Sequence, residues 1–478
     1  MPNLSKSRYI IGLQCPKYLW LLYNDPSKIP KPDAITQHRF NQGHLVGQLA
    51  KKYFPGGIDI SEEDIAENIK ETKELLKKKK NILFEAGISA ENIYSRADIL
   101  KQVKDEWDII EVKSSTGVKD VHIQDVSFQK HCYEKAGLKI RKCFLMFINK
   151  EYVKKGKINP KKFFKIEDIT TQVDDAIKGI QERIDLMFKI ITSDKYPDMN
   201  IGKRCADPYE CPINECWDFL PESHVFKLHR GGRKSMELFE KGIHAIKDIP
   251  DTFKLTGHQE IQRHCSRTGK PYVNKDAIKR FLKTLSEPLY YLDFETFNVT
   301  VPLFDGTKPY QQIPFQFSLH INGKHYSFLS EGKKDPRKEF ISKLKEVLGE
   351  KGSIIVYNQA FEKRILKELS ETFPKYKKWV DDVISRMTDL LIPFRNFHYY
   401  HPKQHGSASL KDVLPALTGK GYEGIEISGE EAGLAYLDIT YGDLSEKEKE
   451  KIRKNLEEYC GLDSEGMVLI VDELVKLI

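Results

Sequence analysis

The chain of 478 residues has 40% hydrophobic and 31% charged side chains, enough for two or three domains with cores of their own and too ordinary a mixture for a disordered or fibrous protein. A formal net charge of +7 permits contact with nucleic acid without demanding it. No apolar run reaches the length of a membrane span and MPNLSKSRYI lacks the apolar core of a signal peptide, so a cytoplasmic protein with no membrane partner is expected, and its eight cysteines are to be read for metal rather than disulfides.

In chain order, LSKSRYIIGLQCPKYLWLLYN predicts a short helix carrying Cys15, with Pro16 opening the next helical turn. HRFNQGHLVGQLAKKYF predicts a helix bearing His44, either a core or surface histidine or a group turned toward the strands that follow. Ser61 to Asp64 reads as the capping-box start of a helix that ends in Lys77 to Lys80. IYSRADILKQV and WDIIEVKSS then read as two strands turning at Lys104-Asp105-Glu106. Alternation puts Glu111 and Lys113 on one face, with Ile110 and Val112 on the other, and the hairpin brings Asp98 alongside Glu111. Two carboxylates beside a lysine suit a divalent cation and a phosphodiester: the oxygens are hard ligands for Mg²⁺ or Mn²⁺, and the ammonium stabilises charge on phosphorus or orients water.

HIQDVSFQKHCYEKAGL predicts a helix with Gln129 and Tyr133 one turn apart on one face, placed to touch a nucleic-acid strand. KIRKCFLMFIN follows as a buried strand. KEYVKKGKINPKKFFKI, with Tyr152, Phe163 and Phe164 among lysines, reads either as a groove that tracks phosphates and stacks bases or as an exposed hairpin with lysine edges. Cys205, Cys211 and Cys216, amid turn residues, predict metal or cluster binding, with Cys15 as fourth ligand if the ends of the domain meet.

Cys15, His44, Asp98, Glu111-Val112-Lys113, Gln129-x3-Tyr133 and the cysteine trio together resemble the PD-(D/E)XK nucleases of the RecB type, especially the CRISPR-associated exonuclease branch with an iron–sulfur cluster. The resemblance covers nearly all of residues 1–220 and implies a restriction-endonuclease-like α/β core. It implies that His44, Asp98 and Glu111 hold the metal, Lys113 assists attack, and Gln129 and Tyr133 touch DNA. Cys15, Cys205, Cys211 and Cys216 would hold a [4Fe–4S] cluster. The trio is spaced five then four, where those relatives space it two then five, and Zn²⁺ stays the alternative to the cluster.

Residues 221–286 predict a small helical connector. Its turn from Leu238 to Ile243 resembles a helix-hairpin-helix whose backbone amides could hold a phosphate, against a plain linker with a packed isoleucine stripe. Beyond it, PLYYLDFET alternates so that Asp293 and Glu295 share one face of an apolar strand, where like charges are destabilising unless a cation sits between them. SIIVYNQAFEKRILKEL predicts a strand running into a helix that presents Glu362; Asp389 reads as a helix cap in preference to a further metal-holding carboxylate, and a final helix carries Tyr459-x3-Asp463. His398, His401 and His405 read as a loop of surface or phosphate-facing histidines rather than zinc ligands.

This order resembles the DnaQ-like, or DEDD, exonucleases on an RNase H-like fold. By that resemblance Asp293, Glu295, Glu362 and Asp463 hold two divalent metals, Mg²⁺ or Mn²⁺, and Tyr459 positions the attacking water; Glu362 stands where the family has Asp. The expected layout is an α/β protein with a PD-(D/E)XK core at 1–220, the connector at 221–286 and a DEDD domain at 287–478, similar to bacterial and archaeal fusions of the two nucleases. The expected activity is metal-dependent hydrolysis of DNA, exonucleolytic on single strands or duplex ends, in repair, recombination or defence, with RNA an alternative at the second site. In the rival reading one domain, the C-terminal one, has lost catalysis and only binds nucleic acid.

Overall fold

Three successive stretches rich in β-branched and aromatic residues, Ile82–Ala90, Ile93–Val103 and Glu106–Lys113, pair antiparallel into a meander. The chain then crosses over through the helix Asp120–Lys135 to lay Ile140–Ile148 parallel to Glu106–Lys113, and Phe164–Asp168 returns antiparallel. In the computed structural model, which describes residues 3–424, 427 and 429–478, the two-residue strands Ile58–Asp59 and Leu4–Ser5 bring this mixed sheet to seven strands. The sheet belongs to a first compact unit made of the chain up to Trp217 together with Val299–Gln311; Asp218–Asn298 and Gln312–Ile478 make a second. Residues 221–286 thus pack within the second unit, and a short excursion from the C-terminal half packs within the first.

Both faces of the first sheet are covered, so its strands are apolar on both sides. Leu100, Ile109 and Leu145 face Tyr9, Leu19 and Phe128; Ile99, Ile110 and Met146 face Val46, Leu49 and Phe163. The aromatics of the lysine-rich stretch are spent on this second layer, for Tyr152, Phe163 and Phe164 are buried and meet edge to face. They are core rather than a base-stacking groove. The helix Ile65–Lys77 begins at Asp64, whose carboxylate accepts from the Glu67 N–H at 2.7 Å, so Asp64 and not Ser61 is its cap.

In the second unit the strand Tyr290–Phe297 is central to a five-stranded sheet. Ile313–Ile321 and Lys324–Leu329 continue it antiparallel on one side; Ile354–Val356 and Met387–Asp389 continue it parallel on the other. The long helix Glu446–Lys476, capped by Ser445 and Glu448, packs its Leu456, Cys460, Met467 and Ile470 side inward against the central strands. In the expected helix-hairpin-helix, Arg233–Glu240 is helical, but beyond the turn at Gly242 only the single 3₁₀ turn Ile246–Asp248 follows, packed through Leu238, Ile246 and Ile249. Both α/β units stand on sheets sealed by helices, and among the described residues no helix is long and apolar enough to cross a membrane.

Tyr133 corrects one expectation about contact with nucleic acid. Its side chain is fully buried; the hydroxyl donates to the Ala86 carbonyl and accepts from the Ala97 N–H at 3.0 Å, joining the crossover helix to two neighbouring strands. Tyr133→Phe would strand both backbone groups away from water, and is expected to lower unfolding free energy by about 1–3 kcal/mol in urea titration, with no change in secondary structure by circular dichroism. An unchanged midpoint would show that these bonds are not what holds the helix.

Candidate functional site

In the first unit the pairing of Ile99 with Ile110 places Asp98 across from Glu111, and Asp98 Oδ2 accepts from the Val112 N–H at 2.7 Å. Lys113, two residues along the same face, donates to Glu111 Oε1 at 2.7 Å and to Asp125 Oδ2 at 2.6 Å. A second ammonium joins them. Leu4–Ser5 pairs with Ile93 and Tyr94, and the chain leaving that short strand delivers Lys6, whose Nζ lies 2.8 Å from Glu111 Oε1. Asp98, Glu111, Lys6 and Lys113 open onto a cleft of about 1020 Å³ whose wall, the helix Ala34–Lys51, presents the exposed His44.

Gln129 does not reach outward as expected. It is fully buried, and its Nε2 donates to Glu111 Oε2 at 2.7 Å and Asp125 Oδ1 at 3.1 Å, so it orients the carboxylate from behind. Burial and the adjacent Glu111 charge push Asp98 up to about 7. For Glu111 burial acts upward too, yet Lys113 and Lys6 outweigh it and hold the carboxyl below the usual range. Burial opposes both ammonium groups, but Asp125 and Glu111 keep Lys113 and Lys6 protonated well above neutrality.

Cys15, Cys205, Cys211 and Cys216 all line one small cavity of about 20 Å³. Cys15 stands between the helices Lys6–Gln14 and Pro16–Asn24, and its neighbour Gln14 donates from Nε2 to the carbonyls of Arg204 at 2.9 Å and Tyr209 at 2.6 Å, which pins the cysteine-bearing loop to that helix end. All four thiols are free; burial, then the neighbouring thiols, pushes Cys211 up to about 11. Among the described residues, one group of three ligand side chains has its ligand atoms within 4.8 Å of one another, Asp293, Glu295 and Cys460.

That group lies in the second unit. Asp293 and Glu295 project from the central strand, Cys460 from the long helix, and the thiol donates to Asp293 Oδ2 at 3.5 Å. Asp463, three residues after Cys460, and Glu362, near the start of Gln359–Thr372, complete the set. Burial first, then their mutual charge, raises Asp293, Glu295 and Glu362, and burial lifts Asp463 to about 6 although Tyr422 and Tyr459 donate to it. Lys411 Nζ, 5.0 Å from the Tyr459 ring centre, compensates only part of this charge. Asp389 caps no helix but ends the strand Met387–Asp389; its Oδ1 accepts from the N–H groups of Asn358 and Leu391 at 2.9 and 3.0 Å, and its charge adds to those that raise Glu362. His401 caps a 3₁₀ turn and His405 faces Glu222 at 3.2 Å.

Sequence reasoning missed Lys6, Asp125, Lys411 and Tyr422. Asp125 was findable, because it precedes Gln129 by one helical turn on the same face. Lys6 and Lys411 stand at the starts of the helices Lys6–Gln14 and Leu410–Thr418 and Tyr422 follows the second of these, and all three reach their carboxylates through tertiary packing that no local period records.

The raised carboxylates tie stability to pH. Folded Asp98, Asp293, Glu295, Glu362 and Asp463 keep protons that the unfolded chain releases near pH 4, so their contribution to stability without metal is fully present below that point and is lost as pH rises through about 6 for Asp463 and about 7 for Asp98. Glu111 has the opposite sign, its contribution being lost only in acid. In EDTA the melting temperature should fall between about pH 5 and about pH 8, more steeply in wild type than in Asp98→Asn, with Mn²⁺ restoring the wild type at the upper end. Superimposable profiles for the two proteins would contradict this assignment.

Residues 290–409 match a family model described as "Domain of unknown function (DUF2779)", a stretch that includes Asp293, Glu295 and Glu362 and stops short of Lys411, Tyr459 and Asp463. The chain is similar to "Uncharacterized protein MG366" of Mycoplasma genitalium, 23% identical over 238 residues, which are 43% of this chain and 35% of that relative. It is also similar to "Uncharacterized protein MG366 homolog" of Mycoplasma pneumoniae, 25% identical over 219 residues, 40% of this chain and 33% of the relative. The chain's matching part thus spans about a third of the length of these curated relatives.

Proposed function

We propose that the chain is a metal-dependent nuclease with a phosphodiester-hydrolysing site in each unit, of the RecB-like PD-(D/E)XK type in the first and the DnaQ-like DEDD type in the second. The observation that carries the reading is the convergence of Asp98, Glu111 and Lys113 at the floor of an open cleft with His44 on its wall. The three-stranded meander, crossover helix and parallel strand support the PD-(D/E)XK assignment. The mixed five-stranded sheet, with carboxylates on its central strand and on the long helix, supports the RNase H-like one.

The donor sets fit hard divalent cations. Asp98 and Glu111 offer carboxylate oxygens at the cleft floor of one site, and four carboxylates face one partly compensating lysine at the other. Held by His44, Asp98 and Glu111, and by Asp293, Glu295, Glu362 and Asp463, Mg²⁺ or Mn²⁺ would supply Lewis acidity and a more acidic attacking water. The remaining chemistry belongs to the chain. Lys113, kept protonated by Asp125, serves as a fixed positive charge for the phosphate rather than as a base. Gln129 holds Glu111 in the orientation its task requires. Tyr459, its hydroxyl kept neutral by burial and by the Asp463 charge, can orient a water but not deprotonate it.

The first cleft suits a DNA strand or duplex end: Lys6 and Lys113 lie at its floor, and the exposed Phe40 on its wall offers a face for base stacking. Either DNA or RNA fits the second site's chemistry. Four free thiols around one cavity suit a [4Fe–4S] cluster, with Zn²⁺ the alternative, holding the N-terminal helices to the loop that ends the first stretch of chain. Anaerobically purified protein should then be brown with broad visible absorption, and Cys211→Ser should lose the colour and melt lower; a colourless protein holding one Zn²⁺ per chain would replace the cluster with zinc.

End-labelled single-stranded DNA and RNA, incubated with Mg²⁺ or Mn²⁺, test the two sites. Lys113→Ala and Asp293→Ala should each remove a different product ladder, with losses of about 10²-fold or more. If Asp293→Ala leaves every product unchanged while the protein still holds strands in EDTA, the second unit is a binding domain. No cleavage by wild type under any of these conditions would sink the nuclease reading.

A further inference from the structure

We infer that Cys460 is a sulfur ligand of the second site, so that this site takes a thiophilic divalent ion such as Mn²⁺, Co²⁺ or Zn²⁺ in preference to Mg²⁺. The inference rests on the metal reading of Asp293 and Glu295 and goes beyond it, because carboxylates alone would leave Mg²⁺ the natural occupant. Buried cysteines usually act as small apolar residues, as Cys132 does in the first unit's core. Cys460 is equally buried yet turned to polar atoms: its sulfur and one oxygen each of Asp293 and Glu295 lie within 4.8 Å of one another, and it is 3.5 Å from Asp293 Oδ2.

The helix makes this placement unavoidable. Cys460 follows Tyr459 and precedes Asp463 by three residues, so sulfur and carboxylate share the face turned to the strand. A second observation points independently to a ligand. Glu362 is 3% exposed, feels the Asp293 charge, and its Oε2 has no hydrogen-bond partner among the described residues. A buried carboxylate oxygen left unpartnered beside another carboxylate is costly, and a cation between them removes that cost. Sulfur at such a point selects the ion: a soft donor adds little for Mg²⁺ and much for the later divalent metals. On binding, the S–H bond gives its proton to solvent and the sulfur lone pair goes to the metal, with no change of oxidation state.

The test titrates Co²⁺ into the full-length protein with its first-unit thiols in their native state, and follows the near-ultraviolet thiolate-to-cobalt charge-transfer band. Wild type, Cys460→Ser, Cys460→Ala and Asp293→Asn share the first-unit cysteines, which cancel in difference spectra. Wild type should show a band that all three variants lack, and the ratio of Mn²⁺ to Mg²⁺ affinity by calorimetry should fall about 10-fold or more in Cys460→Ser, the scale of loss when a ligand set is disturbed. An unchanged band and ratio in Cys460→Ser, with Asp293→Asn losing Co²⁺, would overturn the sulfur ligand and leave the carboxylate site standing. Co²⁺ binding in Asp293→Asn equal to wild type would overturn the metal reading itself. Should a Cys460 variant fail to fold, the wild-type band and its loss in Asp293→Asn still decide the case.

Discussion

Carboxylates held side by side away from water repel one another and lose hydration, and each unit of this protein is arranged around how that repulsion is met. In the first, two lysines from distant parts of the chain close on Glu111, and Asp125 closes on Lys113, so charge is balanced inside the cluster. In the second, Asp293, Glu295, Glu362 and Asp463 share only the partial relief of Lys411 and two tyrosine hydroxyls. The second requires a cation to be fully ionised.

Both clusters sit on inner strands of the sheets of their units. Asp98 and Glu111 occupy neighbouring strands in the middle of a sheet covered on both faces, and Asp293 and Glu295 occupy the central strand of the other. Side chains behind the first cluster hold its geometry: Gln129 grips Glu111, and Tyr133, one turn further, ties the same helix to the Ala86 and Ala97 backbones. A polar residue fixed in this way loses little entropy on binding, which is what positioning to a few tenths of an ångström requires.

The four cysteines bring together distant parts of the chain. Cys15 and the trio ending at Cys216 are separated by almost the whole of the first stretch of chain, so a group bound by all four would close a long loop and restrict the unfolded ensemble far more than a local contact does. Gln14 reaches the Arg204 and Tyr209 carbonyls beside them, so the two chain ends are already registered by hydrogen bonds that do not depend on the thiols.

What the sequence determined by itself were features carried by local period and residue chemistry. Strand alternation set Glu111 with Lys113 and Asp293 with Glu295, turn residues at Lys104 and Asp105 made the hairpin that aligns Asp98, and helical spacing put Tyr459 and Asp463 on one face. Tertiary structure alone decided which way a helix face turns and what comes from afar. Gln129 and Tyr133 share a face as their spacing demands, but whether it meets solvent or sheet depends on the layer packed against it, and it meets the sheet. Tyr152, Phe163 and Phe164 look alike in sequence whether they stack bases or fill a core, and the second layer of the first unit claimed them. Lys6 reaches Glu111 only because Leu4–Ser5 pairs with Ile93 and Tyr94, and Tyr310 donates to the Ser114 carbonyl only because Val299–Gln311 packs into the first unit. Such contacts join residues far apart in the chain, and no local period records them.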